Sequence, residues 1–382
     1  SLYLWHWPLI VLARWTIGLT ALTLLPVLAL IALCTILSYR IERLFRYSRP
    51  TGHGLNRTWV LYPVMTVLVS AVSLALQGPL MGRLYAGQRS HGVGGSVNMK
   101  RIEGTTVDTV HCFQEPTHPV TKVNVLRPCI VDAFPGRPTL FFVGDSHAHM
   151  LIPLGGKLLA SGRYNVAFLA RGGCPVPDFS RWEDGAAIPA RYRLCRPSTD
   201  HMEQILLDRL RPGDRIVLVS NLAGYFSSLH GPSRERAEAS YATAIRRLAA
   251  AVASRGGRIV IFASLPTVPQ AELSGPLTLC QPEWFRPSWS QALQCRPVQQ
   301  PRAGQIAATA QVRSFLQRLV AEVPGTALFD PFDSVCPPAA AYCSSHLGSN
   351  LLFSDSNHLT NAGAWLLYPR FRAFLASPSP AS

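Results

Sequence analysis

The chain has 382 residues, of which 48% are hydrophobic, and its formal net charge is +15. This length allows more than one domain. Its 36 Lys and Arg residues are spread along the chain without an aromatic-interleaved basic motif or the signature of a nucleic-acid-binding fold, so we expect no nucleic-acid partner. An anionic lipid surface or an acidic polysaccharide near the protein would explain the positive charge instead.

Three apolar stretches that contain no acid, Lys or Arg lie near the start, at residues 2–13, 15–39 and 58–77. The last two are long enough to cross a hydrocarbon core about 30 Å thick. The first begins within an apolar run and without a Met, so we interpret the chain as a fragment. We predict transmembrane helices, in contact with a lipid bilayer, at about residues 1–17, 20–39 and 58–78. Buried helices of a soluble core are the alternative interpretation.

The loop between the second and third apolar stretches is basic. Between residues 40 and 57 there are five Arg residues and one acid, Glu42. Cytoplasmic loops carry such an excess of positive charge, so we place this loop in the cytoplasm and everything after about residue 78 outside it. The sequence therefore predicts a multi-pass membrane protein with an extracytoplasmic C-terminal part.

Residues 79–105 are rich in Gly and lack apolar periodicity, which predicts a linker before a domain at 106–376 and a tail at 377–382. Eight of the nine cysteines follow the third apolar stretch, and Cys34 lies in the second. An even set in an exported domain predicts disulfides, and the absence of a Cys-x-x-Cys pair disfavours zinc. The simplest arrangement joins neighbours: Cys112 with Cys129, Cys174 with Cys195, Cys280 with Cys295, and Cys336 with Cys343.

Between residues 139 and 329, short apolar segments alternate with segments of helical periodicity. We predict strands at 139–143, 165–170, 215–219, 258–263 and 326–329, and helices at 233–255, with Ser233 as N-cap, and at 303–322. Such alternation predicts an α/β fold of three layers, in which helices cover both faces of a parallel sheet. Ligands of these sheets bind at the carboxyl ends of the strands.

Two polar motifs occur at the two ends of this region. Gly144-Asp145-Ser146 follows the first predicted strand directly, and Asp355 precedes His358 by three residues before an apolar C-terminal helix. Ser146 as nucleophile, His358 as base and Asp355 as the group that orients the base would form a catalytic triad. Taken alone, Asp145 and Ser146 would equally suit a helix N-cap, because Asp and Ser are preferred at that position.

These motifs resemble those of the SGNH (GDSL-like) hydrolase superfamily, whose first block is Gly-Asp-Ser and whose last block is Asp-x-x-His. Gly-Asp-Ser-His at 144–147 and Asp-x-x-His-Leu-Thr at 355–360 are similar to SGNH domains fused to membrane-bound acyltransferase family 3 proteins. The resemblance covers roughly residues 100–376, and residues 1–8 resemble a stretch at the end of the acyltransferase membrane domain. It implies a flavodoxin-like version of the three-layer fold.

The resemblance also implies an oxyanion hole, formed by the backbone of Ser146, the backbone of Gly173 and the side chain of Asn221. Gly172-Gly173-Cys174-Pro175 matches the family pattern, whereas Ser220-Asn221-Leu222-Ala223 stands where Gly-x-Asn-Asp is usual. Asn221 as a turn or cap residue is therefore the alternative. His147, Trp284 and Trp289 are further candidate substrate contacts, the two Trp residues because exposed aromatic rings suit a sugar ring. The alternatives are a position at the helix start or core edge for His147 and packing within a disulfide-tied loop for the Trp residues.

By the same resemblance, the full-length protein would be an O-acyltransferase. Its membrane domain would bring an acyl group, expected to be acetyl, across the bacterial inner membrane from cytoplasmic acyl-CoA (acetyl-CoA) to a periplasmic SGNH domain. Ser146 would then pass the group to a cell-envelope polysaccharide such as lipopolysaccharide O-antigen or peptidoglycan. We expect no cofactor and no metal in this fragment. The alternatives are a carbohydrate esterase or deacetylase with the same triad, and a non-catalytic carbohydrate-binding domain.

Overall fold

The structure, a computed structural model, describes residues 2–46, 63–64, 66–71, 74, 102, 105, 112–114, 129–178, 195–268, 289, 297–348 and 350–377. These residues belong to two compact units. One comprises residues 1–91 with 275–296, and the other comprises residues 92–274 with 297–382.

The N-terminal unit contains helices α1 (Leu2–Thr16) and α2 (Ala21–Arg46). The two helices pack against each other through Ala13, Val27 and Ile31. Within the described residues, α2 is the one helix that is long and apolar enough to cross a membrane. Most of its Leu and Ile side chains are exposed in the protein. A helix that is apolar all round, with most of this surface exposed, is typical of a membrane span.

The first two predicted spans coincide with α1 and α2, although α2 continues past residue 39 to Arg46. The third, 58–78, lies mostly outside the described residues, and the described positions within it (63–64, 66–71 and 74) are helical. The multi-pass arrangement therefore stays a prediction. The predicted linker, 79–105, also lies outside the described residues except at Thr105 and at Ile102, which is fully buried.

The second unit is built from short strands and helices in alternation. The strands are β1 (Phe113–Gln114), β2 (Cys129–Val131), β3 (Thr139–Gly144), β4 (Asn165–Arg171), β5 (Arg215–Val219), β6 (Arg258–Phe262), β7 (Gln299–Pro301), β8 (Thr326–Phe329), β9 (Tyr342–Ser344), β10 (His346–Leu347) and β11 (Asn350–Leu351). The helices are α3 (Ser146–His149), α4 (Ile152–Ala160), α5 (Arg196–Arg209), α6 (Leu222–Ser227), α7 (Pro232–Ala253), α8 (Arg302–Glu322), α9 (Phe332–Val335), α10 (Asn361–Leu366) and α11 (Tyr368–Ala376).

Among the described residues, seven strands form the main sheet, in which β4, β3, β5, β6 and β8 are neighbours in that order and run parallel. On the outer edge of β4, β1 pairs parallel and β2 pairs antiparallel. With β3 as the first parallel strand of the core, this is the flavodoxin-like order, and its switch point lies between β3 and β5. The predicted α/β three-layer fold is confirmed; the antiparallel β2 and the two small sheets β7–β9 and β10–β11 are additions to it.

Both faces of the sheet are buried, which explains why its strands are continuous apolar runs rather than alternating ones. Phe141 and Val143 of β3 belong to the core that α5, α7 and α8 cover. On the opposite face Phe142 stacks on Phe168 of β4, with ring centroids 4.9 Å apart, and also contacts Phe371 of α11. The sheet therefore holds the carboxyl ends of β3, β4 and β5 in a fixed relation.

The N-terminus of α7 differs from the prediction. The helix begins at Pro232, with Gly231 as N-cap, whereas we expected Ser233 to cap it. Proline is favoured in the first turn because the N–H that it lacks would have no helical partner there. The hydroxyl of Ser233 instead donates to the carbonyl of His230.

Three of the four predicted disulfides are present: Cys112–Cys129, Cys174–Cys195 and Cys336–Cys343. The fourth predicted pair, Cys280 with Cys295, lies outside the described residues. Cys34 of α2 is a free thiol. The Cys174–Cys195 bridge ties the turn after β4 to the start of α5, so it fixes a loop at the carboxyl edge of the sheet.

Candidate active site

Ser146 lies at the carboxyl end of β3, where the chain turns into α3. The turn requires Gly144, because a Cβ atom at that position would lie 1.8 Å from the carbonyl oxygen of Val219 in β5. Gly144 therefore lets β3 and β5 approach closely at the switch point of the sheet. Ser146, two residues later, opens α3 at this point, which is where ligands bind in open α/β sheets.

Asp145 is the N-cap of α3, as the capping alternative anticipated, and it does more than cap. Its Oδ1 accepts the backbone N–H of His147 at 2.8 Å. Its Oδ2 accepts the backbone N–H of Asn221 at 2.9 Å and the hydroxyl of Tyr225 at 2.6 Å. The side chain is 1% exposed. Asp145 therefore ties the start of α3 to the loop that follows β5.

Asp355 and His358 lie on a tight loop before α10. Oδ1 of Asp355 accepts the backbone N–H groups of Asn357 and His358 at 2.9 and 2.8 Å, which closes the loop on itself. A bridge between Phe353 and Leu359 closes its base, and the carbonyl of Ser356 accepts the N–H of Val268. The loop is thus held from within and from the segment after β6.

The structure brings the three predicted triad residues together. Oγ of Ser146 lies 2.7 Å from Nε2 of His358, although 212 residues separate them. Nδ1 of His358 lies 2.6 Å from Oδ2 of Asp355. A carboxylate only accepts, so Nδ1 carries the hydrogen and Nε2 is left to accept the Ser146 proton. This is the arrangement in which a serine hydroxyl is activated for attack on an acyl carbonyl.

The two remaining oxyanion-hole candidates, Gly173 and Asn221, follow the strands on either side of β3. Gly144 pairs with Ala170 of β4 on one side and with Val219 of β5 on the other. Gly173 follows β4 in a left-handed turn (φ 66°), and Asn221 follows β5. Oδ1 of Asn221 caps α6 by accepting the N–H of Gly224. In the described part of the chain no hydrogen bond engages its Nδ2, so the amide group caps a helix and retains a donor.

Residues 111–373 match the profile of the family described as "SGNH domain (fused to AT3 domains)", which is more than half of the chain. The chain belongs to this family of SGNH domains. Family and fold together support an enzyme of acyl transfer or ester hydrolysis. No curated protein sequence matches the chain.

Solved structures similar to this SGNH domain come from several bacteria. The periplasmic domain of a lipopolysaccharide acetyltransferase from Salmonella ser. Paratyphi A is 16% identical, with a TM-score of 0.47, over 70% of this chain and 92% of that one. A mutant of an acetyl-xylooligosaccharide esterase from Geobacillus Stearmophilus is 12% identical, with a TM-score of 0.36, over 66% of this chain and 100% of that one.

Two more histidines of α3 lie near the triad of the SGNH domain. His147 is 6% exposed, and its Nε2 lies 3.2 Å from Oδ1 of Asn357. His149 is equally buried and stacks on the ring of Phe113, with ring centroids 4.3 Å apart. The burial of His147 leaves little surface for the predicted substrate contact and favours a role in holding the triad loop.

Burial and charge set the protonation of these groups. Burial lowers the pKa of His149 to about 4, and the nearby His358 acts in the same direction. Burial likewise lowers the pKa of His147, and the negative charge of Asp145 offsets part of this effect. Burial would raise the pKa of Asp355, but the hydrogen bond and charge of His358 and two backbone N–H groups outweigh it and lower that pKa. At neutral pH, α3 therefore presents two neutral histidines beside an ionised Asp355.

The predicted aromatic contacts stay predictions. Trp284 lies outside the described residues, and Trp289 is 56% exposed. Across the described ranges, no three His, Cys, Asp or Glu side chains cluster as the ligands of a metal ion would.

Tyr225 and Asn357 are contacts of the site that sequence reasoning missed. Each lies close in the chain to a residue that was singled out: Tyr225 is four residues after Asn221, and Asn357 immediately precedes His358. Four residues are one helical turn, so a helix after Asn221 would have aimed Tyr225 back toward the strand ends. Position 357 falls at one of the two unspecified places of the Asp-x-x-His motif and carries no signal of its own.

Proposed function

We propose that this protein is an O-acyltransferase that carries an acyl group on Ser146 and passes it to a hydroxyl of a cell-envelope polysaccharide. The observation that carries the proposal is the hydrogen-bonded series Asp355, His358 and Ser146, with distances of 2.6 and 2.7 Å. Acetyl is the expected acyl group, and lipopolysaccharide O-antigen or peptidoglycan is the expected kind of acceptor.

In the first half of the reaction, Ser146 becomes acylated. Its Oγ attacks the carbonyl carbon of the acyl donor while Nε2 of His358 takes the hydroxyl proton. Asp355, hydrogen-bonded to Nδ1, holds the ring in the required tautomer and stabilises the imidazolium. When the tetrahedral intermediate collapses, Nε2 returns that proton to the leaving group, and an ester on Ser146 remains.

The oxyanion of the tetrahedral intermediate needs donors that are in place before the reaction. The backbone N–H groups of Ser146 and Gly173 and Nδ2 of Asn221 are the proposed donors. They come from the ends of three neighbouring strands, β3, β4 and β5, whose register the sheet fixes. The cap that Oδ1 of Asn221 makes to Gly224 would orient Nδ2 of the same amide.

In the second half, His358 takes the proton of the incoming hydroxyl, the sugar oxygen attacks the acyl carbon, and Ser146 leaves with the proton returned from Nε2. Water and a sugar hydroxyl compete for the same acyl-serine, and the one held in near-attack geometry reacts faster. The Asp355 side chain is 50% exposed and that of His358 is 22% exposed. The triad therefore lies at the surface, where a bulky glycan has access to it.

The family description links these SGNH domains to AT3 domains, and α2 has the length and composition of a membrane span. We therefore place the protein in the bacterial inner membrane, with its SGNH domain on the extracytoplasmic side. In the full-length protein, cytoplasmic acyl-CoA would be the donor and the membrane domain would deliver the acyl group to Ser146. Three disulfides within the SGNH domain support an oxidising compartment.

The test uses the whole chain in detergent with a small activated acetyl ester. We expect a transient acetyl group on Ser146 by mass spectrometry, and transfer of acetyl to an added envelope oligosaccharide faster than release of acetate. Ser146→Ala should lower turnover by roughly four orders of magnitude, as triad members do. Ser254→Ala, at the far end of α7, is the matched control and should leave turnover unchanged.

The same experiment separates the alternatives. Steady release of acetate with no acetylated sugar, whichever oligosaccharide is added, would identify an esterase with the same triad. Binding of the oligosaccharide without acetylation of Ser146 would identify a non-catalytic carbohydrate-binding domain. Either outcome would overturn the proposal that the protein is an acyltransferase.

A further inference from the structure

We propose that Tyr225 is a positioning residue, which joins the three loops that carry Ser146, Gly173 and Asn221. The inference rests on the proposed function, because it concerns how that site is kept in register. Tyr225 lies on α6, the short helix that Asn221 caps. Neither its hydroxyl nor its ring is required to touch substrate; both act through other residues.

The hydroxyl of Tyr225 reaches the Ser146 loop. It donates to Oδ2 of Asp145 at 2.6 Å, across 80 residues of sequence. Asp145 is a buried carboxylate, and a buried charge is tolerated only when its oxygens are well hydrogen-bonded. Oδ2 accepts two donors, the Tyr225 hydroxyl and the N–H of Asn221, while Oδ1 accepts the N–H of His147. Removal of the hydroxyl would leave Oδ2 with one donor and free Asp145 to shift.

A shift of Asp145 would be transmitted directly to the reacting groups. Asp145 is bonded to the nucleophile Ser146 in the chain, and its carboxylate also accepts the N–H of His147 in the first turn of α3 and the N–H of Asn221. The nucleophile and one proposed oxyanion donor are thus positioned by one carboxylate. Tyr225 is the side chain that completes the hydrogen bonding of that carboxylate.

The ring of Tyr225 reaches the third loop. It packs against the buried Cys174–Cys195 disulfide, and Cys174 directly follows Gly173. The same side chain therefore contacts the Gly173 loop through its ring and the Ser146 loop through its hydroxyl. Substitution by Phe separates these contacts, because it keeps the ring and removes only the hydroxyl.

The kinetic consequence follows from where the displaced groups act. An oxyanion donor strengthens its interaction as the transition state forms, so a small misplacement lowers kcat more than it raises KM. We expect Tyr225→Phe to lower kcat for acetyl-ester turnover about ten-fold, the loss that one hydrogen bond to a charged group can cause. KM should stay close to that of the wild type, whereas the thermal unfolding midpoint should fall by a few degrees, because the buried Asp145 loses a hydrogen bond in the folded state.

The experiment measures kcat, KM and the rate of Ser146 labelling by an alkyl fluorophosphonate in the whole chain. Rates are expressed per labelled Ser146, so that poorly folded protein does not count. Tyr164→Phe is the matched control, because Tyr164 is also partly buried. It precedes β4 and so lies at the amino ends of the strands, away from the site at their carboxyl ends. This variant should behave as the wild type.

A second variant tests whether Tyr225 acts through Asp145. Asp145→Asn should lower kcat by itself, and adding Tyr225→Phe to it should lower kcat by clearly less than it does in the wild type, because contacts that act as a unit are not additive. Full additivity, or a Tyr225→Phe kcat within two-fold of the wild type, would overturn the inference. Wild-type protein that neither turns over ester nor labels at Ser146 would instead overturn the proposed function.

Discussion

Nε2 of His147 lies 3.2 Å from Oδ1 of Asn357, although 210 residues separate the two in the chain. Oδ1 only accepts, so Nε2 carries the hydrogen of a neutral imidazole. The contact joins α3, which carries Ser146, to the loop that carries Asp355 and His358. Besides the bond from Ser146 to His358, two further contacts join these segments: the rings of His147 and His358, with centroids 4.9 Å apart, and the N–H of Leu359, which donates to Sδ of Met150.

The first prediction follows from the contact between His147 and Asn357. Asn357→Ala should lower kcat several-fold, because the triad loop loses a tether to α3 and the distance from Ser146 to His358 is less well fixed. Asn350→Ala, at an exposed position of β11, is the control. Equal activity of the two variants would show that the other contacts of the loop hold it without the amide of Asn357.

The second prediction concerns acid stability. Unfolded histidine binds a proton near pH 6.5, whereas burial lowers the pKa of folded His149 to about 4. The contribution of neutral His149 to the free energy of unfolding is fully present above about pH 6.5 and is lost as the pH falls toward 4. The free energy of unfolding then decreases by on the order of 3 kcal/mol. The thermal unfolding midpoint of the SGNH domain should therefore be lower at pH 4.5 than at pH 7.

His149→Phe should reduce that fall, because Phe keeps the stacking on Phe113 and cannot take up a proton. His230→Gln, at an exposed position before α7, should retain the wild-type dependence on pH. The measurement is circular dichroism at both pH values. A His149→Phe variant with an undiminished fall would mean that other groups cause the acid destabilisation.

The third prediction concerns the strand ends. Gly144→Ala should destabilise the fold by more than about 3 kcal/mol, since its Cβ would lie 1.8 Å from the carbonyl oxygen of Val219, an atom of the backbone. Gly304→Ala is the opposite case: no atom lies within 4 Å of the added Cβ, in the exposed face of α8. Helix propensity predicts that this change stabilises by about 0.5–1 kcal/mol. Similar unfolding midpoints for the two variants would contradict the close approach of β3 and β5.

The fourth prediction completes the disulfide set. Mass mapping of non-reduced protein should find Cys280 joined to Cys295, in addition to the three bridges seen, and Cys34 as a free thiol. An alkylating reagent should add to one cysteine per chain before reduction and to nine after it. Two further labelled cysteines before reduction would show that the fourth pair is open.

The strands of the parallel sheet could be predicted from the sequence because they are apolar on both faces and end at polar or glycine residues. The sequence indicated β5 and β8 with the bounds that the structure has, and β3, β4 and β6 to within a residue. The edge strand β2 has three residues, too few to give a period. The start of α7 was misplaced because the preference of proline for the first turn prevailed over that of serine for the cap.

The triad could likewise be predicted, since each of its motifs has a recognisable local pattern. The supporting contacts could not. The bond from Tyr225 to Asp145 depends on the register of β3 against β5 and on a six-residue helix, α6. The contact of His147 with Asn357 depends on how the last loop folds back over the sheet. Such contacts follow from tertiary packing, which local sequence patterns do not encode.

The separation of Ser146 from His358 makes the reactivity of Ser146 a measure of how complete the fold is. Ser146 follows the first strand of the parallel core and its base lies beyond the last one, so the two come together only when the loop that carries His358 has docked on the end of β3. A chain in which this loop has not docked has the serine without its base, and we expect it to be inert toward esters. An acylating probe added during refolding would therefore measure the fraction of molecules in which the loop that carries His358 has reached Ser146.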